Sequence, residues 1–195
     1  MPATTSDRGM ALCGAAALDA GPVRLVPFCE GHLSESYVGW LNNPAVGRFS
    51  EQRHHRHSLD SCRAYVAGFA CGPGLLWAIE RASDGLHLGN VSAAVDTVNG
   101  IADIGILLGP SEARGRGYGL AAWSAALGYL AARRDLGKVT GGCLATNTAM
   151  VQIMKRSGMV PDGYRLAHYL WEGRRVDLLY RALFCTKAPK RGDRP

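Results

Sequence analysis

The amino-acid sequence predicts one mixed α/β domain with a largely antiparallel sheet and a central strand–helix–strand unit. Three observations carry this. Short apolar or alternating runs of strand type are interleaved with stretches of helical period. Turn signals at Ser83-Asp84-Gly85, Asn99-Gly100 and Glu172-Gly173 join neighbouring runs as hairpins. A long apolar helix between two strands directly follows a segment rich in glycine and arginine. At 195 residues, 47% hydrophobic and 19% charged, the chain can fill one sizeable core and is too short for two domains of ordinary size.

In chain order, residues 1–21 are Ala-rich and weakly hydrophobic, with an acidic residue before the apolar part, and read as a disordered leader rather than a signal peptide. "VRLVPF" (Val23 to Phe28) alternates as a strand. Leu33, Tyr37, Val38 and Leu41 recur at helical spacing until Asn43-Pro44 stops the helix. A second helix follows, with Ser58 as N-cap and Asp60 in its first turn. "LLWAIE", "LHLGNVSAAVD" and "IADIGILLG" form a three-strand meander. Leu120, Trp123, Leu127 and Leu130 line one face of the next helix, which ends near Arg133-Arg134 and Gly137. "KVTGGCLA" is a strand, "NTAMVQIMKRSG" a short helix closed by Gly158, and "GYRLAHYLWEG" with "RRVDLLYRALF" a closing hairpin. The domain therefore spans 22–185, followed by a basic disordered tail over 186–195.

The formal charge is +6, from 22 basic and 16 acidic residues. Lys187, Lys190, Arg191 and Arg194 against Asp193 supply half of it from the tail. The rest fits an anionic small ligand better than nucleic acid, which needs a sustained basic face. The 6 cysteines form no CxxC pair and have no histidine partner at zinc spacing, as expected of reduced, mostly buried thiols in a cytoplasmic protein. No apolar run of about eighteen residues exists, so no membrane span is expected.

The chemistry centres on "ARGRGYGLAAW", Ala113 to Trp123. Between a strand end and a helix start, free backbone N–H groups and the positive end of the helix dipole converge on an anion site. Glycines let the main chain curl around a ligand, and Arg114 and Arg116 add charge-assisted donors for phosphate. The alternative is a flexible turn with two solvated arginines. A P-loop would need Gly-Lys-Ser/Thr, which is absent, and G-x-G-x-G after hairpins is not the dinucleotide fingerprint.

Arg114-Gly115-Arg116-Gly117-Tyr118-Gly119 matches the R/Q-x-x-G-x-G/A signature of the GNAT N-acetyltransferase superfamily. "ADIGILLG" resembles the fourth strand of the branch containing ribosomal-protein alanine N-acetyltransferases and small-metabolite acetyltransferases. Asn147, Ile153, Arg156, Gly158 and Met159 are similar to that family's N-x-x-S-x-x-L-x-x-K-x-G-F helix, and residues 163–184 resemble its closing hairpin. "LSESYVGWLNNPAV" resembles acceptor-side helices of members acting on sugars, amino acids and other small metabolites.

The resemblance implies the GNAT fold, with helices on both faces of a mixed sheet, and an acyl-CoA-dependent N-acyltransferase. Its cosubstrate would be acetyl-CoA or another acyl-CoA, with no metal. The main chain of Ile106, Leu107 and Leu108 would pair with pantetheine, and the amides of Arg114, Gly115, Arg116, Gly117, Tyr118 and Gly119 would hold the pyrophosphate. Leu120 and Ala121 lie in the first turn behind it. Asn147, as ligand or ordinary N-cap, would flank the arm from the other side, with Met150 and Arg156 on the same helix. The reaction needs a base, an oxyanion donor and an acid. Asp103 stands where relatives carry a glutamate and is the candidate base; a strand amide near Leu107 is the candidate oxyanion donor. The tyrosine that serves many members as acid is replaced by Met154, leaving Tyr164 and Tyr169 as candidates. On the acceptor side stand Glu51 and Arg53 in the His-rich loop "FSEQRHHRHS", with His87 and His168, and Glu80 as a weaker base. The loop would suit a small amine bearing a carboxylate or several hydroxyls. Other readings are a protein N-terminal acetyltransferase, an acyltransferase using an acyl carrier protein as donor, and a non-catalytic acyl-CoA-binding module. A monomer or homodimer is expected.

Overall fold

A computed structural model describes residues 14–185. The elements run β1 (Leu18–Ala20), β2 (Val23–Pro27), α1 (Glu35–Leu41), α2 (Pro44–Gly47), α3 (Leu59–Ala70), β3 (Leu75–Arg81), β4 (His87–Asp96), β5 (Ile101–Leu108), α4 (Tyr118–Ala132), β6 (Lys138–Leu144), α5 (Thr148–Arg156), β7 (Val160–Trp171) and β8 (Arg174–Phe184). One 8-stranded sheet has the order β1-β2-β3-β4-β5-β6-β8-β7, antiparallel except where β5 meets β6.

The leader expected to reach residue 21 contains the first strand. β1 turns through Gly21, at φ +67, and pairs Leu18 with Leu25. Trp77 Nε1 donates to the Ala16 carbonyl at 2.7 Å, and Ala15 is buried. The alanine-rich composition hid this strand because its anchors, Trp77 and Leu25, lie elsewhere in the chain. Residues 1–13 and the tail 186–195 lie outside the described residues.

Helix boundaries follow local chemistry. Ser34 Oγ accepts from the Tyr37 N–H to open α1, and Ser58 forms a reciprocal capping box with Ser61 at α3. The stop expected at Asn43-Pro44 becomes a short new helix: Asn43 Oδ1 accepts from the Ala45 N–H, and Pro44 sits at the first helical position.

The helices cover both faces of the sheet. α4 packs beneath through Ala122, Trp123, Ala126, Leu127 and Leu130, and Tyr129 meets Trp77 edge-on at 5.7 Å. α1 and α3 cover the other face through Tyr37, Val38, Cys62 and Val66. Gly141 and Gly142 of β6 leave room for rings: a Cβ at Gly141 would stand 2.9 Å from Trp123, and one at Gly142 3.0 Å from Tyr180. Among the described residues, no helix is long and apolar enough to cross a membrane.

Candidate active site

β5 and β6 form a parallel ladder only from Ile101–Lys138 to Asp103–Thr140. Beyond that vertex they separate, and β6 stays paired with β8 up to Leu144–Leu178. A cavity of about 730 Å³ fills the opening, lined on one side by Ile104 to Leu108 and on the other by Gly142, Cys143, Leu144, Asn147 and Met150. The gap exposes strand hydrogen-bonding groups that no strand among the described residues uses.

Which groups these are follows from the ladder on the other edge of β5. The Gly109 N–H donates to the Leu88 carbonyl at 3.0 Å, and Leu107 faces Asn90. The alternation of an antiparallel ladder then turns the main chain of Leu107 towards β4, and that of Ile104, Ile106 and Leu108 towards the gap. The Leu107 carbonyl comes so close to β4 that a Cβ on Gly89 would stand 2.0 Å from it. The Leu107 amide, expected as the oxyanion donor, is thereby turned away from the gap, and the amides that face it are those of Ile106 and Leu108. Leu107 lines the cavity with its side chain instead.

The glycine loop forms the open end. Gly115 and Gly117 take φ of +74 and +81, a left-handed conformation that other residues adopt only with strain. Gly117 is the N-cap of α4 without a capping side chain, and the first intrahelical bond runs from Ala121 N–H to Gly117 O at 3.0 Å. The N–H groups of Tyr118, Gly119 and Leu120 therefore point out of the helix end, where the dipole favours an anion. Gly119 packs between Leu108 and Ile153: a Cβ there would lie 3.2 and 3.3 Å from their side chains. The exposed side chains of Arg114 and Arg116 rest on main-chain carbonyls, Arg114 Nη2 on Ala45 O at 3.3 Å and Arg116 Nε on Glu112 O at 2.7 Å. Asn147 Oδ1 caps α5 by accepting from the Met150 N–H at 3.2 Å, so its N-cap role is present. Arg156 closes α5 at the end away from the cavity.

On the opposite sheet face the cavity continues beneath α1, α3 and the His-rich loop. Glu51, His55, Arg56 and His57 line its mouth, and Tyr37, Cys62, Asn90, Ser92, Tyr169 and the half-exposed Tyr65 also line it. The β7–β8 hairpin forms a strap across it. Trp171 stacks on Phe49 at 5.3 Å and donates Nε1–H to the Arg48 carbonyl at 2.9 Å. The Arg48 guanidinium lies over the Trp171 ring and pairs with Glu172 at 2.9 Å. Arg53 is a structural tie: its guanidinium binds Ser50 O, Glu51 Oε1 and Leu170 O and does not line the cavity.

Other candidates fall elsewhere. His87 packs against Phe28, His32, Tyr37 and Trp40, engages Gly89 O at 2.9 Å, and borders a separate cavity of about 610 Å³. Glu80 is buried beside His32 at 3.1 Å. His168 and Tyr164 are exposed on β7 away from the cavity wall. Asp103 stands at the vertex on the same face as Gly105, outside the lining; burial raises its carboxyl above the usual range, offset in part by the Thr140 side chain and the Ile104 N–H. Met154 is fully buried, so a core side chain occupies the position of the family acid. Burial also raises the Tyr37 phenol, helped by neighbouring Tyr65 and Cys62, and pushes the Cys143 thiol up to about 11. Both are protonated near neutral pH.

Tyr37, Tyr65, Asn90 and Ser92 escaped the sequence reading. A signal existed for the last two: they break an apolar strand at period two, placing two polar side chains on one buried face. Among the described residues no group of three or more His, Cys, Asp or Glu could hold a metal ion, and the five described cysteines are free.

A split parallel pair with an uncapped glycine-led helix at its mouth and a second, side-chain-lined chamber behind it defines a transferase for a long anionic donor. The GNAT acetyltransferase domain model matches residues 23–160, and the chain belongs to this family of acyltransferases. No curated protein matches the sequence. Among solved structures, the fold is similar to the RimL ribosomal L7/L12 alpha-N-protein acetyltransferase in complex with coenzyme A, at TM-score 0.76 and 18% identity over 87% of this chain and 98% of that one. The spermidine N-acetyltransferase from Vibrio cholerae, in complex with CoA and spermine, aligns at TM-score 0.74 and 18% identity, covering 85% and 97%. A GNAT acetyltransferase from Bacillus anthracis aligns at 0.73 and 16% identity, covering 87% and 98%.

Proposed function

We propose that this protein transfers an acyl group, acetyl or a close homologue, from acyl-CoA to the amine of a small metabolite by direct attack. The observation that carries the reading is the continuity of the cavity, which joins the strand gap to the strapped chamber on the other face. The CoA pyrophosphate sits on the amides of Gly117 to Leu120, with Arg114 and Arg116 released from their carbonyls to add charge. Pantetheine runs down the gap as an extra strand against the Ile106 and Leu108 main chain, with Asn147 and Met150 on its other side. The thioester then lies near the vertex, and the amine approaches over Gly105.

The amine nitrogen adds to the carbonyl carbon, and the carbon–sulfur bond breaks as the tetrahedral intermediate collapses. Its surplus proton leaves towards Asp103 through water, and the thiolate takes one from solvent or a protonated tyrosine of the chamber. Proximity supplies much of the rate, because both reactants are held in one channel. The mouth favours an acceptor with a carboxylate or several hydroxyls: Arg56, His55 and His57 line it, and Glu51 is tied to Arg53 at 2.6 Å. The strap favours a small acceptor over a protein N-terminus, because the Trp171–Phe49 stack closes the side a chain would cross.

Thiol release with acetyl-CoA across amino acids, amino sugars, polyamines and an N-terminal peptide tests this. Turnover with a small anionic or hydroxylated amine is expected. Turnover with the peptide alone would establish the protein N-terminal reading. Activity only with a phosphopantetheinylated carrier would move the donor from CoA to a carrier protein. Binding without turnover of any amine would leave an acyl-CoA-binding module.

A further inference from the structure

Two tryptophans are fully buried, and they differ in one respect. Trp77 satisfies its Nε1–H on the Ala16 carbonyl, whereas Nε1 of Trp123 is buried with no partner among the described residues. Folds seldom leave such a donor unmatched unless a ligand or water completes it. Trp123 also forms part of the cavity wall.

Its position along the cavity is informative. The anion site lies at the open end of the gap, after Leu108 and opposite Asn147, and the vertex lies at Asp103–Thr140. An arm entering at the open end thus carries its distal group to the first residues past the vertex, Ile104 and Gly141. Those residues flank Trp123: a Cβ at Gly141 would stand 2.9 Å from Cη2 and 3.0 Å from Cζ2 of the indole, and 3.6 Å from Ile104 Cγ2. Gly141 lets the ring edge lie flush against β6 and so fixes where the channel ends.

We propose that Trp123 is the floor of the acyl subsite, its indole limiting the length of the transferred chain and its N–H donating to the acyl oxygen. This rests on the acyl-transfer reading above. As the amine forms its bond to the carbonyl carbon, the electron pair of the C=O bond moves onto oxygen, and the indole N–H meets that charge. When the oxygen lone pair reforms the carbonyl, the carbon–sulfur bond breaks and the thiolate is protonated. Trp123 exchanges no proton.

The test compares acetyl-, propionyl-, butyryl- and hexanoyl-CoA in the native protein, Trp123→Phe and Trp123→Ala. The native protein is expected to lose about tenfold or more in kcat/KM from acetyl to butyryl, as a closed apolar pocket does for added methylenes. Trp123→Ala is expected to raise the butyryl-to-acetyl ratio at least about tenfold. Trp123→Phe keeps the ring and lacks the N–H: it should keep the short-chain preference and lower kcat by on the order of a hundredfold, with the calorimetric Kd for acetyl-CoA nearly unchanged. A packing role alone would not separate kcat from Kd in this way. A native protein equally fast with butyryl- and acetyl-CoA, or a Trp123→Phe variant with native kcat, overturns the proposal while leaving acyl transfer intact. If Trp123→Ala fails to fold, the native chain-length profile and Trp123→Phe decide. Absence of acyl-CoA binding and thiol release in the native protein would instead remove the acyl-transfer reading itself.

Discussion

The two ends of the cavity are built by different means. The end that the proposed function gives to the donor is main chain: strand amides at Ile106 and Leu108, glycines at positive φ, and the first turn of one helix. These come from the contiguous unit β5–α4–β6–α5. The acceptor end is side chain, drawn from α1, the His-rich loop, α3, β4 and a strap that binds Phe49 to Trp171 across the chain. A site made of backbone tolerates change everywhere except at its glycines and its register. A site made of side chains can be remodelled one residue at a time. On the proposed function, the donor end thus carries what is common to the reaction, and the acceptor end what is particular to the substrate.

Variants that strike one end and spare the other can break this contrast. The largest effect is expected from Gly117→Trp, which places a strained bulky residue at φ +81 in the anion site. Acetyl-CoA should bind at least about a hundredfold more weakly by calorimetry, the loss of several charge-assisted bonds. Unchanged binding would dissociate the loop from the donor. Next comes Trp171→Ala, which removes the stack, the cation–π contact and the bond to Arg48 O. We expect KM for the amine to rise about tenfold, the scale of an aromatic anchor with its polar handle, while the Kd for acetyl-CoA stays the same. Equal effects on both substrates would make the strap structural for the whole cavity.

Asp103→Asn should reduce kcat about tenfold, less than the hundredfold or more of a base in direct contact. Because the carboxyl of Asp103 is raised by burial, the ionised, proton-accepting form is lost as pH falls through that raised value. The acid limb of the rate profile should therefore lie above the ordinary aspartate range and disappear in the variant. A profile identical in the two proteins would take Asp103 out of the mechanism. The smallest effect belongs to Ser58→Ala, which breaks the α3 capping box and should lower unfolding stability by about 1 kcal/mol, read as a reduced Tm. A shift in the amine KM larger than the loss of stability explains would show that α3 sets the chamber more tightly than its cap implies.

The same division governed what the sequence disclosed. Glycine spacing, hairpin dipeptides and helix caps are local, so the order of elements from Val23 to Phe184, apart from the short α2, and the glycine loop ahead of α4 were legible. β1 was not, because alanine-rich residues near Trp77 signal nothing by themselves. The direction of the Leu107 amide was hidden for a related reason: it depends on the β4–β5 register, set by the close approach at Gly89. Tyr37 read as an ordinary helix-face aromatic, and nothing local marked Tyr65, until α1 and α3 brought both to the cavity wall. His87 shows the converse, a chemically attractive residue that tertiary packing assigns to an aromatic cluster.

The three-rung pairing of β5 with β6 has a consequence for motion. It creates a strand edge in the interior, with rungs at Ile106 and Leu108 left open where an ordinary sheet would continue. Exposed edges invite pairing with foreign chains, but this one lies between its own neighbour strands, out of reach of another protein. In the proposed reaction the donor molecule becomes the missing strand for one catalytic cycle and leaves as a free thiol. Amide exchange should register this as a pulse: Ile106 and Leu108 unprotected in the empty enzyme, slowed while acyl-CoA fills the rungs, and released again with the product.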